Sequence, residues 1–258
     1  MPISSQAHQV LLRYMFGVES RNFLQEFLVH IGLLIAIYVC CRDILVRLRR
    51  QKSIFTSSRH NKKRRTDAPE YFDLRLLKTA CFPLVIGLVL FWITLRLENS
   101  LLTIILFLLI NALILFLAAH SQHGNRDAKT MTGLDGVIIG ILGSLSVFPG
   151  ISRIGIVSTY TTLRGADLKN VVNWAVLLSI PAIILFVIFD ILGIITIGFG
   201  TISLAIFINY IFSGIAAFCG GYIAISILLN ALTHSGFSYF AYYSIGAALF
   251  TFILYLIT

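Results

Sequence analysis

Apolar stretches close to 20 residues long recur along this chain of 258 residues. A helix needs about 20 apolar residues to cross a bilayer, and only helices and closed barrels satisfy their own backbone hydrogen bonds in lipid. Just 12% of the residues are charged, against roughly 25% in soluble domains. The pattern therefore predicts an all-α polytopic membrane protein. The predicted transmembrane helices, about six in number, are Phe23–Cys41, Thr79–Leu97, Leu101–Ala119, Asn170–Ile191, Ile202–Leu229 and Tyr239–Ile257.

Residues 3–20 and 130–165 differ from these spans. The first stretch is too short and too polar to cross a membrane, and the second is interrupted by Pro149 and several glycines. Because Gly and Pro at membrane depth are tolerated where the backbone lines a cavity, both stretches are predicted to be re-entrant helical hairpins. The segments Pro2-Ile3-Ser4-Ser5 and Pro149-Gly150-Ile151-Ser152-Arg153 also resemble each other, and each precedes a helix-like run. That likeness predicts an inverted-repeat arrangement with a site between the two halves.

More than half of the chain's 20 Lys and Arg residues fall between Arg42 and Lys78. Nucleic-acid binding would call for interleaved aromatic residues or a recognition fold, which this segment lacks. A site for anionic lipid is a second interpretation. The positive-inside rule favours a third, a basic cytoplasmic loop at residues 42–78 within a single membrane domain of residues 1–258. The first residues are polar, so no cleaved signal peptide is expected.

Arg153 is a charged residue inside an apolar segment, and such residues are costly and usually functional. It follows the Pro149-Gly150 turn and stands beside Ser152. A planar guanidinium with hydroxyl and backbone donors nearby suits a phosphate group. The alternative is a structural arginine paired with a carbonyl. Ser152 could likewise donate to a phosphate or cap the following helix, and both interpretations stay open.

His8 stands four residues after Ser4 and three after Ser5, which on a helix places it near both hydroxyls. Histidine carries protons near neutral pH and can attack phosphorus. The alternative is an interfacial histidine without a task. Two acidic residues also lie in apolar surroundings: Glu26 is expected to pair with His30 one turn away, and Asp190 to reach the membrane interface.

Taken in order, these motifs resemble the bacterial undecaprenyl-diphosphate phosphatases, also called the bacitracin-resistance family. Residues 2–8 look like the family's Pro-x-Ser-Ser-x-Gly-His segment, and residues 149–155 look like its Pro-Gly-x-Ser-Arg-Ser-Gly motif. Further similar segments bring the likeness to almost the whole chain. They are residues 25–32, 179–182, 221–225 and 240–243.

The resemblance implies an enzyme of the bacterial plasma membrane that hydrolyses undecaprenyl diphosphate to undecaprenyl phosphate, recycling the lipid carrier for cell-wall peptidoglycan synthesis. By position, Ser5 and His8 match residues proposed there as nucleophile or general base. Arg153 matches the arginine that binds the diphosphate. The implied binding residues beside these are Ser4, Gly150 and Ser152. The partners implied are a polyprenyl diphosphate lipid and the membrane, with no nucleic acid; a homodimer stays open.

The sequence also departs from the family pattern. In the family, a Glu-x-x-x-Glu pair precedes the Pro-x-Ser-Ser segment and is thought to hold Mg²⁺ or Ca²⁺; no complete metal site is visible in this sequence, so no metal ligand is predicted. Ile154 and Val157 stand where the family has Ser and Thr, while Gly143 and Ser244 replace Gln and Arg. Two alternatives therefore stay open: a non-catalytic relative that binds lipid diphosphate and, from the repeat, a lipid-phosphate flippase or transporter.

Overall fold

The computed structural model describes most of the chain, and its regular elements there are helices, as the sequence predicts. The described residues are 1–18, 22–46, 69–87, 89–90, 100–121, 124, 130–198, 203–234 and 237–257. The helices are α1 (Ser5–Met15), α2 (Phe23–Cys40), α3 (Pro69–Leu84), α4 (Leu101–Ala119), α5 (Gly133–Ser144), α6 (Arg153–Leu163), α7 (Leu168–Ile197), α8 (Leu204–His234) and α9 (Ser238–Ile257).

Five helices of the described residues, α2, α4, α7, α8 and α9, are long and apolar enough to cross a membrane. The chain is thus an integral membrane protein of the all-α class. The predicted span Leu101–Ala119 coincides with α4, and the other four differ only at their ends. For the sixth predicted span, Thr79–Leu97, α3 ends at Leu84 and residues 91–99 lie outside the described part. The count of about six stays a prediction.

Side-chain caps determine where several helices begin. Asn22 Oδ1 accepts hydrogen bonds from the N–H groups of Leu24 and Gln25, each at 3.1 Å, at the start of α2. Thr132 and Asp135 form a capping box at the start of α5. The first N–H groups of a helix have no partner within it, and lipid supplies none. These caps therefore allow helices to begin at membrane depth.

The helices pack in two groups around α6. In one group, α2 lies against both α7 and α8; in the other, α4 lies against both α6 and α9. A Cβ on Gly32 of α2 would lie 2.2 Å from the carbonyl oxygen of Gly214 on α8, so only glycine permits this close contact. α1 contributes Ala7 and Leu11 to a small apolar cluster with α4 and α9. α6 contacts α4, α5 and α7, and most of its residues are buried.

The second predicted hairpin is present: α5, a short 3-10 turn (Leu145–Val147) and α6 pack against one another. The first is different, because the described part of residues 3–20 holds the single helix α1, ending near Gly17 at a φ of +63°. The depth of both elements in the membrane and the inverted relation of the halves stay predictions. Much of the basic loop at 42–78 lies outside the described residues, and its last part belongs to α3.

Candidate active site

The turn before α6 is built so that Arg153 opens the helix. Ser152 caps α6 by accepting a hydrogen bond from the N–H of Gly155 at 3.1 Å, which is one of the two roles that the sequence left open. Gly150 has a φ of +123°, and a Cβ there would lie 2.5 Å from Cβ of Phe107 on α4. Glycine is therefore required by both the backbone conformation and the close approach to α4.

Arg153 is a cation at the positive end of a helix, where the macrodipole favours anions. Its Nε is buried without a hydrogen-bond partner among the described residues. Its guanidinium carbon lies 5.8 Å from the centroid of the Phe186 ring. A small, partly open cavity adjoins it, lined by Gly87, Gly143, Ser144, Val147, Arg153, Ala182, Leu185 and Phe186. A cation placed this way suits an anionic ligand.

His8 is held through both of its ring nitrogens, one bonded within its own segment and the other to α9. His8 Nδ1 lies 2.6 Å from the carbonyl oxygen of Ser4 and must donate to it, since a carbonyl only accepts. In the neutral ring, Nε2 is then the acceptor for the hydroxyl of Tyr243 on α9, also at 2.6 Å. The two rings stack with their centroids 5.6 Å apart. This arrangement leaves the lone pair of His8 on Nε2, on the side of Tyr243.

The two segments meet through Ser4. Its hydroxyl, which is buried, accepts hydrogen bonds from the N–H of Gly150 at 3.0 Å and from the N–H of Ala7 at 3.3 Å. The first contact joins residues that are 146 positions apart. It brings the start of α1, with His8, next to the turn that carries Arg153.

Asn111, fully buried in the middle of α4, makes a second connection between the segments. Its Oδ1 accepts from the N–H of Ser152 at 2.9 Å, while its Nδ2 donates to the Pro2 carbonyl at 3.4 Å and to Ser244 Oγ at 3.0 Å. One side chain thus bridges the segment before α1, the segment before α6, and α9. Because every polar atom of the amide is used, the two segments are held in a fixed relation.

The structure does not gather every predicted residue in one place. Ser5 is exposed, and its hydroxyl makes no hydrogen bond to another described residue. The residues that line the Arg153 cavity include none of Ser4, Ser5 and His8. The N–H of Gly150 is already donated to Ser4. The contact between the segments is therefore through Ser4, Gly150 and Ser152, with Arg153 and His8 flanking it.

The expectations for Glu26 and Asp190 are wrong. Glu26 forms an ion pair with Arg13 of α1 at 2.6 Å and does not depend on His30. His30 Nδ1 instead lies 2.6 Å from Asp190 Oδ2, and Asp190 is only 1% exposed rather than at an interface. The reason is tertiary: Arg13 of α1 reaches Glu26, and α7 packs against α2 and brings Asp190 to His30, so each residue has a partner on another helix.

Sequence reasoning missed Asn111 and did not count Tyr243 among the site residues. Asn111 had a usable signal, because it is the one polar side chain between Ile104 and Ala119 of an otherwise apolar span, and polar groups in lipid are expensive. Tyr243 lies in one of the segments that carry the family resemblance. Its contact with His8 spans 235 residues, so no local pattern indicates it.

The open ends of the hairpin are tied together by Asp135. This carboxylate accepts from Tyr160 at 2.7 Å and from Arg164 at 2.8 Å, and also from Thr132. Burial alone would raise the pKa of Asp135, but these hydrogen bonds hold it well below its ordinary value. Burial and the neighbouring carboxylate raise the pKa of Tyr160 to about 12. Asp135 therefore stays ionised and fixes the hairpin, and with it the position of the turn.

The described residues do not fit a Mg²⁺ or Ca²⁺ site. They contain no group of three or more His, Cys, Asp or Glu side chains placed to hold a metal. Mg²⁺ prefers one or two carboxylates, yet Glu26, Asp135 and Asp190 are each committed to a basic partner. No step proposed below passes through a metal.

Comparison with known proteins places these features in a wider group. The sequence model described as "Bacitracin resistance protein BacA" matches residues 1–250. A protein from Alkaliphilus metalliredigens named undecaprenyl-diphosphatase is 29% identical over 247 residues, covering 95% of this chain and 89% of that protein. A protein of the same name from Treponema denticola is 30% identical over 253 residues, covering 96% and 89%. The similarity thus runs through both segments of the site.

Proposed function

The chain belongs to the bacitracin resistance protein BacA family, and on that premise we propose that it is an undecaprenyl-diphosphatase. The reaction forms a bond between the terminal phosphorus of the lipid diphosphate and an attacking atom, which is an oxygen of water or Ser5, or a nitrogen of His8. The bond from that phosphorus to the bridging oxygen breaks, and the bridging oxygen stays with undecaprenyl phosphate. Water supplies the oxygen of the released phosphate, either directly or after a covalent intermediate.

The contact between Ser4 Oγ and Gly150 N–H carries this proposal. It joins a segment with hydroxyl and imidazole groups to a segment with a cation whose Nε is buried. Phosphoryl transfer depends mostly on positioning and on stabilising negative charge. The chain therefore has both kinds of group on adjacent turns, as such a reaction needs.

In this proposal Arg153 binds the diphosphate. Its guanidinium carries a permanent charge and can donate two parallel hydrogen bonds to phosphate oxygens. Glu26, Asp135 and Asp190 are each paired with another basic group, so these three carboxylates do not compete for it. Ser4, Gly150 and Ser152 hold the turn on which Arg153 stands.

His8 and Ser5 are the candidates for attack on phosphorus. His8 Nε2 carries a lone pair in the neutral ring and could act as nucleophile or take a proton from Ser5 or water. Ser5 is exposed at the first position of α1, where its hydroxyl is open to a substrate. The choice between these two roles is a matter for trapping experiments.

We assign the protein to the bacterial plasma membrane, with the basic loop at residues 42–78 in the cytoplasm. The start of α2 would then face outside, and the Ser4–His8 segment would approach the external surface. A polyprenyl diphosphate released there would reach the site from the lipid phase.

Phosphate release from undecaprenyl diphosphate, or from a C15 diphosphate, by purified protein tests the proposal. Assays run with Mg²⁺, with Ca²⁺ and with EDTA alone, and the wild type is expected to release phosphate in at least one. Absence of release, with Arg153→Ala identical to wild type, contradicts it. Binding of the lipid diphosphate without hydrolysis supports a non-catalytic relative. Movement of lipid phosphate from one leaflet of a vesicle bilayer to the other without hydrolysis supports a flippase.

A further inference from the structure

A half-buried aromatic ring connects Arg153 to the pair formed by half-buried His30 and buried Asp190. Phe186, on α7, lies under the Arg153 guanidinium at 5.8 Å and stacks on the ring of His30 at 5.5 Å, with an interplanar angle of 10°. Phe186 also lines the cavity that Arg153 enters. The Phe186 ring thus contacts Arg153, the residue proposed to bind phosphate, and also His30 on α2.

Arg153 needs such a contact because little else fixes its side chain. Its Nε has no hydrogen-bond partner among the described residues, and Glu26, Asp135 and Asp190 are paired with other basic groups. A guanidinium has several rotatable bonds, and holding it in one orientation costs conformational entropy. A cation over an aromatic face gains about 0.5–1 kcal/mol when exposed and about 2 when desolvated. The Phe186 face is therefore the main described contact that orients the charge.

Phe186 is in turn held by the His30–Asp190 pair. Asp190 lies four residues after Phe186 on α7, so both are on the same helix face. Its carboxylate accepts from His30 Nδ1 at 2.6 Å, which fixes the imidazole plane of His30 on α2. The stacked imidazole then limits the movement of the Phe186 ring. An ionisable pair between two membrane-spanning helices is energetically costly, and such a pair is therefore a candidate for a functional role.

We propose that Phe186, clamped by His30 and Asp190, is a positioning residue that sets the orientation of Arg153 toward the diphosphate. This inference rests on the proposed function for its substrate class, but it concerns binding and can be tested without turnover. It gives the His30–Asp190 pair a role at a distance from the reacting atoms.

The first test measures binding of farnesyl diphosphate and the kcat and KM for its hydrolysis in Phe186→Leu, with Phe218→Leu on α8 as the matched control. Phe186→Leu is expected to weaken binding and raise KM about tenfold, in line with one cation–π contact, with a smaller change in kcat. Phe186→Tyr, which keeps the ring face, is expected to stay close to wild type. Equal effects of Phe186→Leu and Phe218→Leu overturn the proposal.

A double-mutant cycle separates positioning from general packing. In an Arg153→Ala background, Phe186→Leu is expected to cause no further loss of farnesyl diphosphate binding, because its partner is gone. An equal loss in both backgrounds would mean that Phe186 acts independently of Arg153 and would overturn the proposal. If the wild type binds this diphosphate without hydrolysing it, the proposed function fails while the cycle still decides the inference.

The clamp is tested by two double variants, since removing one partner of a buried ion pair is strongly destabilising, whereas replacing both by apolar groups is often tolerated. His30→Phe with Asp190→Leu keeps a ring against Phe186 and is expected to retain wild-type diphosphate binding. His30→Leu with Asp190→Leu lacks the ring and is expected to weaken binding severalfold. Thermal unfolding in detergent checks that both fold, and equal binding by the two contradicts the clamp.

Discussion

The segments before α1 and before α6 use the same local design in different surroundings. Each begins an 11-residue helix with a serine cap, Ser4 in one and Ser152 in the other. Each is also bonded to Asn111 of α4. Yet α6 is buried along most of its length, while α1 buries only Ala7 and Leu11. The shared capping places two helix starts side by side, but the difference in burial suits the two helices to different roles.

The enclosed segment suits binding, and the open one suits chemistry. Arg153 gains from burial because low dielectric strengthens its attraction for an anion. His8 is partly exposed and Ser5 is exposed, so both can meet a lipid headgroup and water. Variants of the segment before α6, which carries Arg153, should therefore change affinity. Variants of the segment with Ser5 and His8 should change the rate of the chemical step.

Arg153→Ala is expected to have the largest effect, a loss of about 1000-fold in kcat/KM for phosphate release, since one lost charge-stabilising donor costs 10²–10³-fold. Binding of farnesyl diphosphate should weaken in parallel but stay measurable, because the cation acts on the ground state as well. Arg153→Lys should recover part of the binding but not the bidentate geometry. Unaltered affinity in Arg153→Ala would place the diphosphate elsewhere.

His8→Gln is expected to lower kcat about 100-fold, the lower end of what a general acid–base residue contributes. Affinity for farnesyl diphosphate should stay near the wild-type value, in contrast to Arg153→Ala. Tyr243→Phe removes one hydrogen bond to Nε2 and should cost only about fivefold in kcat, as expected for a bond of about 1 kcal/mol. A change in affinity without a change in kcat would contradict the division of roles.

The sequence predicts well what local chemistry decides. Apolar length predicted α4 to the residue and α2 to within one residue, because a span is defined by its own composition. The turn at Pro149-Gly150 and the helix after Ser152 follow from turn and cap preferences that act over a few residues. Residue chemistry pointed to Arg153 and His8, and the resemblance added Ser5 and the implied roles of all three; those roles stay predictions.

Contacts between distant helices were beyond this reasoning. Glu26 and His30 are one turn apart, which favours a local pair, but Arg13 and Asp190 compete for them from other helices. The partner that each residue takes depends on where the other helices place Arg13 and Asp190 relative to α2. Spacing along the sequence does not give those positions. The bridge made by Asn111 depends likewise on three elements meeting at one amide.

The smallest expected effect comes from the two capping serines, which form a matched pair. Ser152→Ala removes one bond, to the N–H of Gly155, and should lower the unfolding free energy by about 1 kcal/mol, the usual cost of a lost cap. Ser4→Ala removes a comparable cap bond and also the contact with Gly150, leaving a buried N–H unpaired at a further cost of about 1–3 kcal/mol. Chemical denaturation in detergent compares the two. Because only Ser4 bonds directly across the two segments, Ser4→Ala should also lower kcat/KM about tenfold more than Ser152→Ala, which corresponds to the lower part of that energy range. Equal effects of the two variants would mean that Ser4 is a cap alone and that another contact, such as Asn111, holds the binding segment beside the chemical one.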